Sequence, residues 1–88
     1  MIHTLYVSRY SHGWPEYKIR QSGCICALDF LQSNLDNLGI SAKLFGESYC
    51  YRIEFKSEED LNLFKLLGNI KPYGYNNRGI LTYQISPL

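Results

Sequence analysis

Apolar and polar side chains alternate loosely over residues 2–10, a stretch rich in β-branched and aromatic types, and this pattern predicts a strand. Gly13 and Pro15 interrupt it. Over residues 23–38 the period lengthens: Cys24, Ala27, Leu28, Leu31, Leu35 and Leu38 recur at spacings of three and four, the stripe of an amphipathic helix. Ser22 suits the cap at its start, and Gly39 the left-handed residue that closes it. Two further alternating runs, 40–45 and 48–56, meet across Gly46 and Glu47 and predict an antiparallel hairpin. A second helix follows, with Ser57 as cap, Asp60 at the capping-box position, and Glu58 and Glu59 at the positive end of the helix dipole. Lys65 sits near its other end, Leu63, Leu66 and Leu67, with Phe64 beside them, supply its predicted buried face, and Gly68 stops it. Residues 71–79 concentrate Pro72, Gly74, Asn76, Asn77 and Gly79, which predicts a loop before a last strand over 80–86.

The resulting order is strand, helix, strand, strand, helix, strand. It predicts an α+β domain of the ferredoxin-like βαββαβ kind, a two-layer sandwich with an antiparallel sheet, filling residues 1–88 as one domain. A short extra hairpin arm is expected near residues 17–20. With both helices on one sheet face, strand parity assigns the other. Tyr49, Tyr51, Ile53 and Phe55 are expected inside, because the opposite choice would bury Arg52 and Glu54 at several kcal/mol for each charge. Leu5 and Val7 on the first strand, and Leu81, Tyr83 and Ile85 on the last, join them. The free face then carries Tyr6, Ser8, Arg52, Glu54, Thr82 and Gln84.

Composition sets limits on this picture without changing it. The 88 residues are 45% hydrophobic and 19% charged, a globular rather than a disordered balance. No apolar run approaches the roughly 18 residues that span a bilayer, and the first ten residues lack the pattern of a secretion signal. A cytoplasmic protein without membrane contact is expected. Three cysteines, Cys24, Cys26 and Cys50, form no closed disulfide set, which agrees with a reducing compartment. Cys24 and Cys26 have no histidine at a zinc-ligand spacing, so they read as small thiols rather than a metal site, and no cofactor is expected.

Leu5-Tyr6-Val7 resembles the opening of the first-strand motif of RNA-recognition domains, and Tyr49-Cys50-Tyr51 resembles the aromatic pair of their second motif. The resemblance implies base stacking on the sheet and supplies an alternative function, a single-stranded nucleic-acid-binding module using Tyr6, Tyr10 and Arg52. The chain departs from that family at Glu47 and Ser48, where a basic residue and a glycine are expected, and parity turns Tyr49 and Tyr51 inward. Nine basic against eight acidic residues also leave a formal charge of only +1. Residues 27–64 are similar in pattern to the later half of a LAGLIDADG-type endonuclease domain, without its acidic signature helix. Acylphosphatases share the predicted strand order, but residues 12–20 lack their phosphate loop and leave only Arg20 as a counterpart.

No nucleophile or acid–base group is paired by spacing. His12 is a lone loop histidine, and Glu58, Glu59 and Asp60 are accounted for by the helix dipole. The expectation is therefore no enzyme but a small binding protein that occupies a surface of another macromolecule, foremost a protein, in the manner of a phage-encoded inhibitor of a host or defence system. Eight tyrosines and one tryptophan supply interface-type side chains. The candidate partner-binding residues are Trp14, Tyr17, Tyr73, Tyr75 and Arg78 in loops, with Tyr6 and Arg52 on the sheet; Trp14 and Tyr73 are equally suited to sealing the core. A homodimer is conceivable through a free strand edge around Lys43.

Overall fold

The computed structural model describes residues 3–8, 27–47 and 50–85. Along these the elements are β1 (His3–Ser8), α1 (Ala27–Asn37), β2 (Ala42–Gly46), β3 (Cys50–Phe55), α2 (Glu58–Leu67), β4 (Ile70–Tyr75) and β5 (Leu81–Ile85). The proposed arm at 17–20, the helix start at Ser22 and the side chains of Trp14, Tyr17 and Tyr49 lie outside the described residues.

The end of α1 and the start of α2 form as their sequences require. Gly39, at φ 70, closes α1: its N–H reaches Asp36 O at 3.1 Å and the N–H of Ile40 reaches Leu35 O at 2.9 Å. Those two bonds satisfy carbonyls the helix end would otherwise leave open, and Ile40 and Leu35 are both buried in the core beneath them. At the start of α2, Ser57 Oγ accepts the Asp60 N–H at 3.2 Å. Glu58, Glu59 and Asp60 occupy the first turn, where the dipole favours negative charge.

The sheet is where the structure departs from expectation. Among the described residues it has five strands in the order β2-β3-β1-β5-β4, not four, and it is mixed rather than antiparallel. β1 pairs antiparallel with β3, whereas β5 runs parallel to β1, with Val7 opposite Tyr83. The additional strand is β4, drawn from the stretch expected to be a loop. Pro72 and Gly74 made that stretch look broken, but β4 is an edge strand, where a missing N–H and a glycine are tolerated. Its register with β5 shifts between Pro72 and Gly74, and Gly74 takes φ 154 there. The turn itself shrinks to 76–80, organised by Asn76: its side-chain oxygen accepts the N–H groups of Arg78 at 2.8 Å and Ile80 at 3.0 Å.

β1 is thus flanked by two helix–hairpin units, α1-β2-β3 and α2-β4-β5. In each unit the first strand takes the sheet edge and the second returns beside β1. One core joins the two layers: Leu5, Val7, Tyr51, Ile53, Phe55, Tyr83 and Ile85 from the sheet meet Phe30, Leu31, Leu35 and Phe64 from the helices. The parity expected for β1 and β3 holds throughout the described positions. Phe55 and Phe64 have ring centroids 5.7 Å apart and join sheet to helix at the centre.

The two helices are also tied through a polar contact. Asn34 of α1 is buried, and its Nδ2 donates to Gly68 O, at the end of α2, at 2.9 Å. Its Oδ1 accepts from Asn69 Nδ2 at 3.4 Å. Asn34→Ala leaves that buried carbonyl without its donor, and urea unfolding is expected to show a loss of about 1–2 kcal/mol. A loss below the error of the measurement would remove Asn34 as a structural link.

Candidate interaction surfaces

Two groups of residues stand out, one on the sheet face and one along the stretch from α2 to the β4–β5 turn. The first lies on the face away from the helices. Cross-strand register places Phe45 of β2, Arg52 of β3 and Tyr6 of β1 in one row. The Arg52 guanidinium lies 4.4 Å from the Phe45 ring centroid, a cation–π stack on a surface aromatic. Arg52 Nε donates to Glu47 Oε1 at 2.7 Å and Nη1 donates to Glu54 Oε1. The hydrogen bond to Glu47 and the charge of Glu54 outweigh desolvation and hold the guanidinium pKa above its ordinary value. The arginine is therefore fixed and locally neutralised on the sheet, not held out towards a phosphate.

Tyr6 and Arg52 are brought together as expected, each half-buried. Thr82 is a correction: the free-face assignment would leave it open, but it is buried, with its hydroxyl donating to Gly74 O of β4 at 2.7 Å. That bond turns the side chain across the irregular β4–β5 pair. Gln84 is only half-buried, although its Oε1 is buried without a hydrogen-bond partner among the described residues.

The second group spans residues 66–78, from the end of α2 through the edge strand β4 to the turn after it. Tyr73 and Tyr75, expected in a loop, instead stand on β4 with exposures of 43% and 75%. Tyr73 falls at the register shift and has no paired position on β5. Tyr73 therefore does not seal the core, and Arg78 is exposed in the turn that follows. Leu66 and Leu67 are a second correction. Neither belongs to the buried face of α2: they are 81% and 57% exposed. Phe64 is fully buried, while Leu61 and Leu63 pack partly against the core. At about 100° per residue Leu66 lies roughly 200° around the helix from Phe64, so a stripe centred on Phe64 excludes it. Leu61, Phe64 and Gly68, at spacings of three and four, mark the face that is covered. That signal was present in the sequence but was masked by the apolar run around it.

Trp14 and Tyr17 lie outside the described residues, so neither is placed beside these groups. Among the described residues, no group of three or more His, Cys, Asp or Glu side chains is arranged to hold a metal ion. No described helix is long and apolar enough to cross a membrane. No family model, curated protein or solved structure matches this chain.

Proposed function

We propose that this chain is a non-enzymatic binding protein that docks residues 66–78 on another protein. The supporting observation is the distribution of uncovered apolar side chains. Of the five large hydrophobic residues exposed among the described ones, Leu66, Leu67, Tyr73 and Tyr75 fall within ten consecutive positions, and the fifth is Phe45. Aromatic groups with a nearby arginine, here Arg78, are the types that carry most of the binding energy in protein interfaces. A compact domain with one such edge suits an inhibitor that blocks a surface of a host or defence component, and that is the biological role we attach to it.

The alternative, a single-stranded nucleic-acid-binding module, draws on the Phe45–Arg52–Tyr6 row. The two carboxylates on Arg52 weigh against it, since phosphate binding would have to displace or outcompete both. One experiment separates the readings. Tagged protein is used to capture partners from extract of the native host, alongside folded Tyr75→Ala and Leu66→Ala variants. Wild type should retain a protein in stoichiometric amount, and each variant should lose about tenfold in affinity for it. Equal capture by all three would reject residues 66–78 as the interface. Oligonucleotide binding that falls steeply with salt and requires Tyr6 and Arg52 would instead establish the alternative.

A further inference from the structure

The two edges of the sheet are built differently. On β4, Pro72 has no N–H to offer and the register shift before Gly74 breaks the edge, both of which discourage pairing with another strand. β2, at the opposite edge, keeps an unbroken register with β3 from Ala42 to Gly46. No strand among the described residues pairs with its outer side. The direction of its free backbone groups follows from the hairpin. The Glu47 N–H donates to Cys50 O at 2.8 Å, so Glu47, Phe45 and Lys43 turn their backbone groups towards β3, and Ala42, Leu44 and Gly46 turn theirs outward.

We propose that β2 pairs antiparallel with β2 of a second copy, across a two-fold axis at Phe45. The side chains select this register. It places Lys43 opposite Glu47 of the partner subunit, and Glu47 opposite Lys43 of the partner subunit, giving two ion pairs of opposite charge around a central Phe45 pair. The backbone agrees: Leu44 and Gly46 of the two copies exchange the ladder hydrogen bonds. Phe45 and the Lys43–Glu47 pairs then occupy the non-hydrogen-bonded positions, where side chains approach most closely. Centring the axis on Leu44 would set Lys43 against Phe45 and Ser41 against Glu47, and both ion pairs would be lost.

The groups involved are accessible. Lys43 and Gly46 are exposed, Phe45 is 36% exposed with Arg52 over its ring, and Glu47 is exposed while it holds Arg52 through Oε1. Among the described residues its Oε2 makes only a weak contact, with Cys50 Sγ at 3.9 Å, so on that side a lysine can approach it. The dimer joins two sheets into one and keeps both β4 edges at its far ends, so it is independent of the binding role assigned to residues 66–78.

Charge reversal tests the register. Sedimentation velocity from micromolar to near-millimolar protein at low salt should show wild type passing from monomer to dimer. Lys43→Glu and Glu47→Lys, each verified as folded by circular dichroism, should raise the dissociation constant by about tenfold or more, because each turns both cross-strand pairs into like-charge pairs. Mixing the two variants restores opposite charges at both positions, and the mixture should form a heterodimer at concentrations where each variant alone is monomeric. Wild type that stays monomeric throughout, single variants that dimerise like wild type, or folded variants that fail to associate when mixed would each overturn the proposal.

Discussion

Replacing Phe64 with alanine is expected to cost about 3–5 kcal/mol of unfolding free energy, the range for deleting a buried aromatic ring and leaving a cavity. Phe64 has no exposed surface and is the largest fully buried side chain among the described residues. It is also where α2 meets the sheet, through the Phe55 ring. Domains hold roughly 0.05–0.15 kcal/mol of stability per residue, so the loss would consume a large share of what an 88-residue chain has. The measurement is urea denaturation with the slope held common across variants. Leu66→Ala, two residues away and on the exposed side of the same helix, should change stability by no more than about 0.5 kcal/mol. Similar losses for the two variants would mean that the phase assigned to α2 is wrong.

Gly68→Ala is expected to cost about 3 kcal/mol, an unusual penalty for adding one methyl group at a helix end. Conformation is not the reason, because Gly68 has φ −84, which alanine adopts readily. Space is the reason. A Cβ at Gly68 would lie 2.5 Å from Phe64 O and 2.7 Å from two carbons of the Phe64 ring. Neither can yield easily: the carbonyl accepts the Gly68 N–H at 2.8 Å, and the ring is locked in the core. Gly39→Ala provides the contrast. Gly39 has φ 70 and nothing within 4 Å of the added carbon, so its cost is the backbone term alone, about 1–2 kcal/mol. If thermal or urea unfolding finds Gly68→Ala no worse than Gly39→Ala, the steric account fails.

Local signals in the sequence were reliable wherever the chemistry is local. Ser57 and Gly39 mark helix ends because their caps are made within a few residues, and the parity of β1 and β3 follows from keeping Arg52 and Glu54 out of the core. The loop expected at 71–79 failed for a physical reason: proline and glycine break a central strand but not an edge strand, and edge position is a property of the whole sheet. The reversal that sets β5 parallel to β1 follows from that same missed strand, since an additional hairpin turns the chain once more before it reaches β1. For the surfaces, Tyr73, Tyr75 and Arg78 could be singled out by residue type, although the two tyrosines were expected in a loop and stand on β4. The exposure of Leu66 was hidden, because the apolar run LFKLL obscures the Leu61, Phe64 and Gly68 spacing that marks the buried face of α2, and helical phase alone gives no account of the exposure of Leu67.

Among the described residues β1 is the only strand shared by the two helix–hairpin units, and this sets how the domain comes apart. Each hairpin joins strands near in sequence, but Val7 must find Tyr83 across most of the chain, so the central contacts close late and carry the largest share of the loop-closure entropy. Either flank can fray at its edge strand while the other persists. Loss of β1 instead divides the sheet into two hairpins with separate halves of a core. Amide exchange of the monomer, at micromolar concentration, should therefore divide the molecule by distance from β1, with β2 and β4 open to solvent exchange long before the strands at its sides.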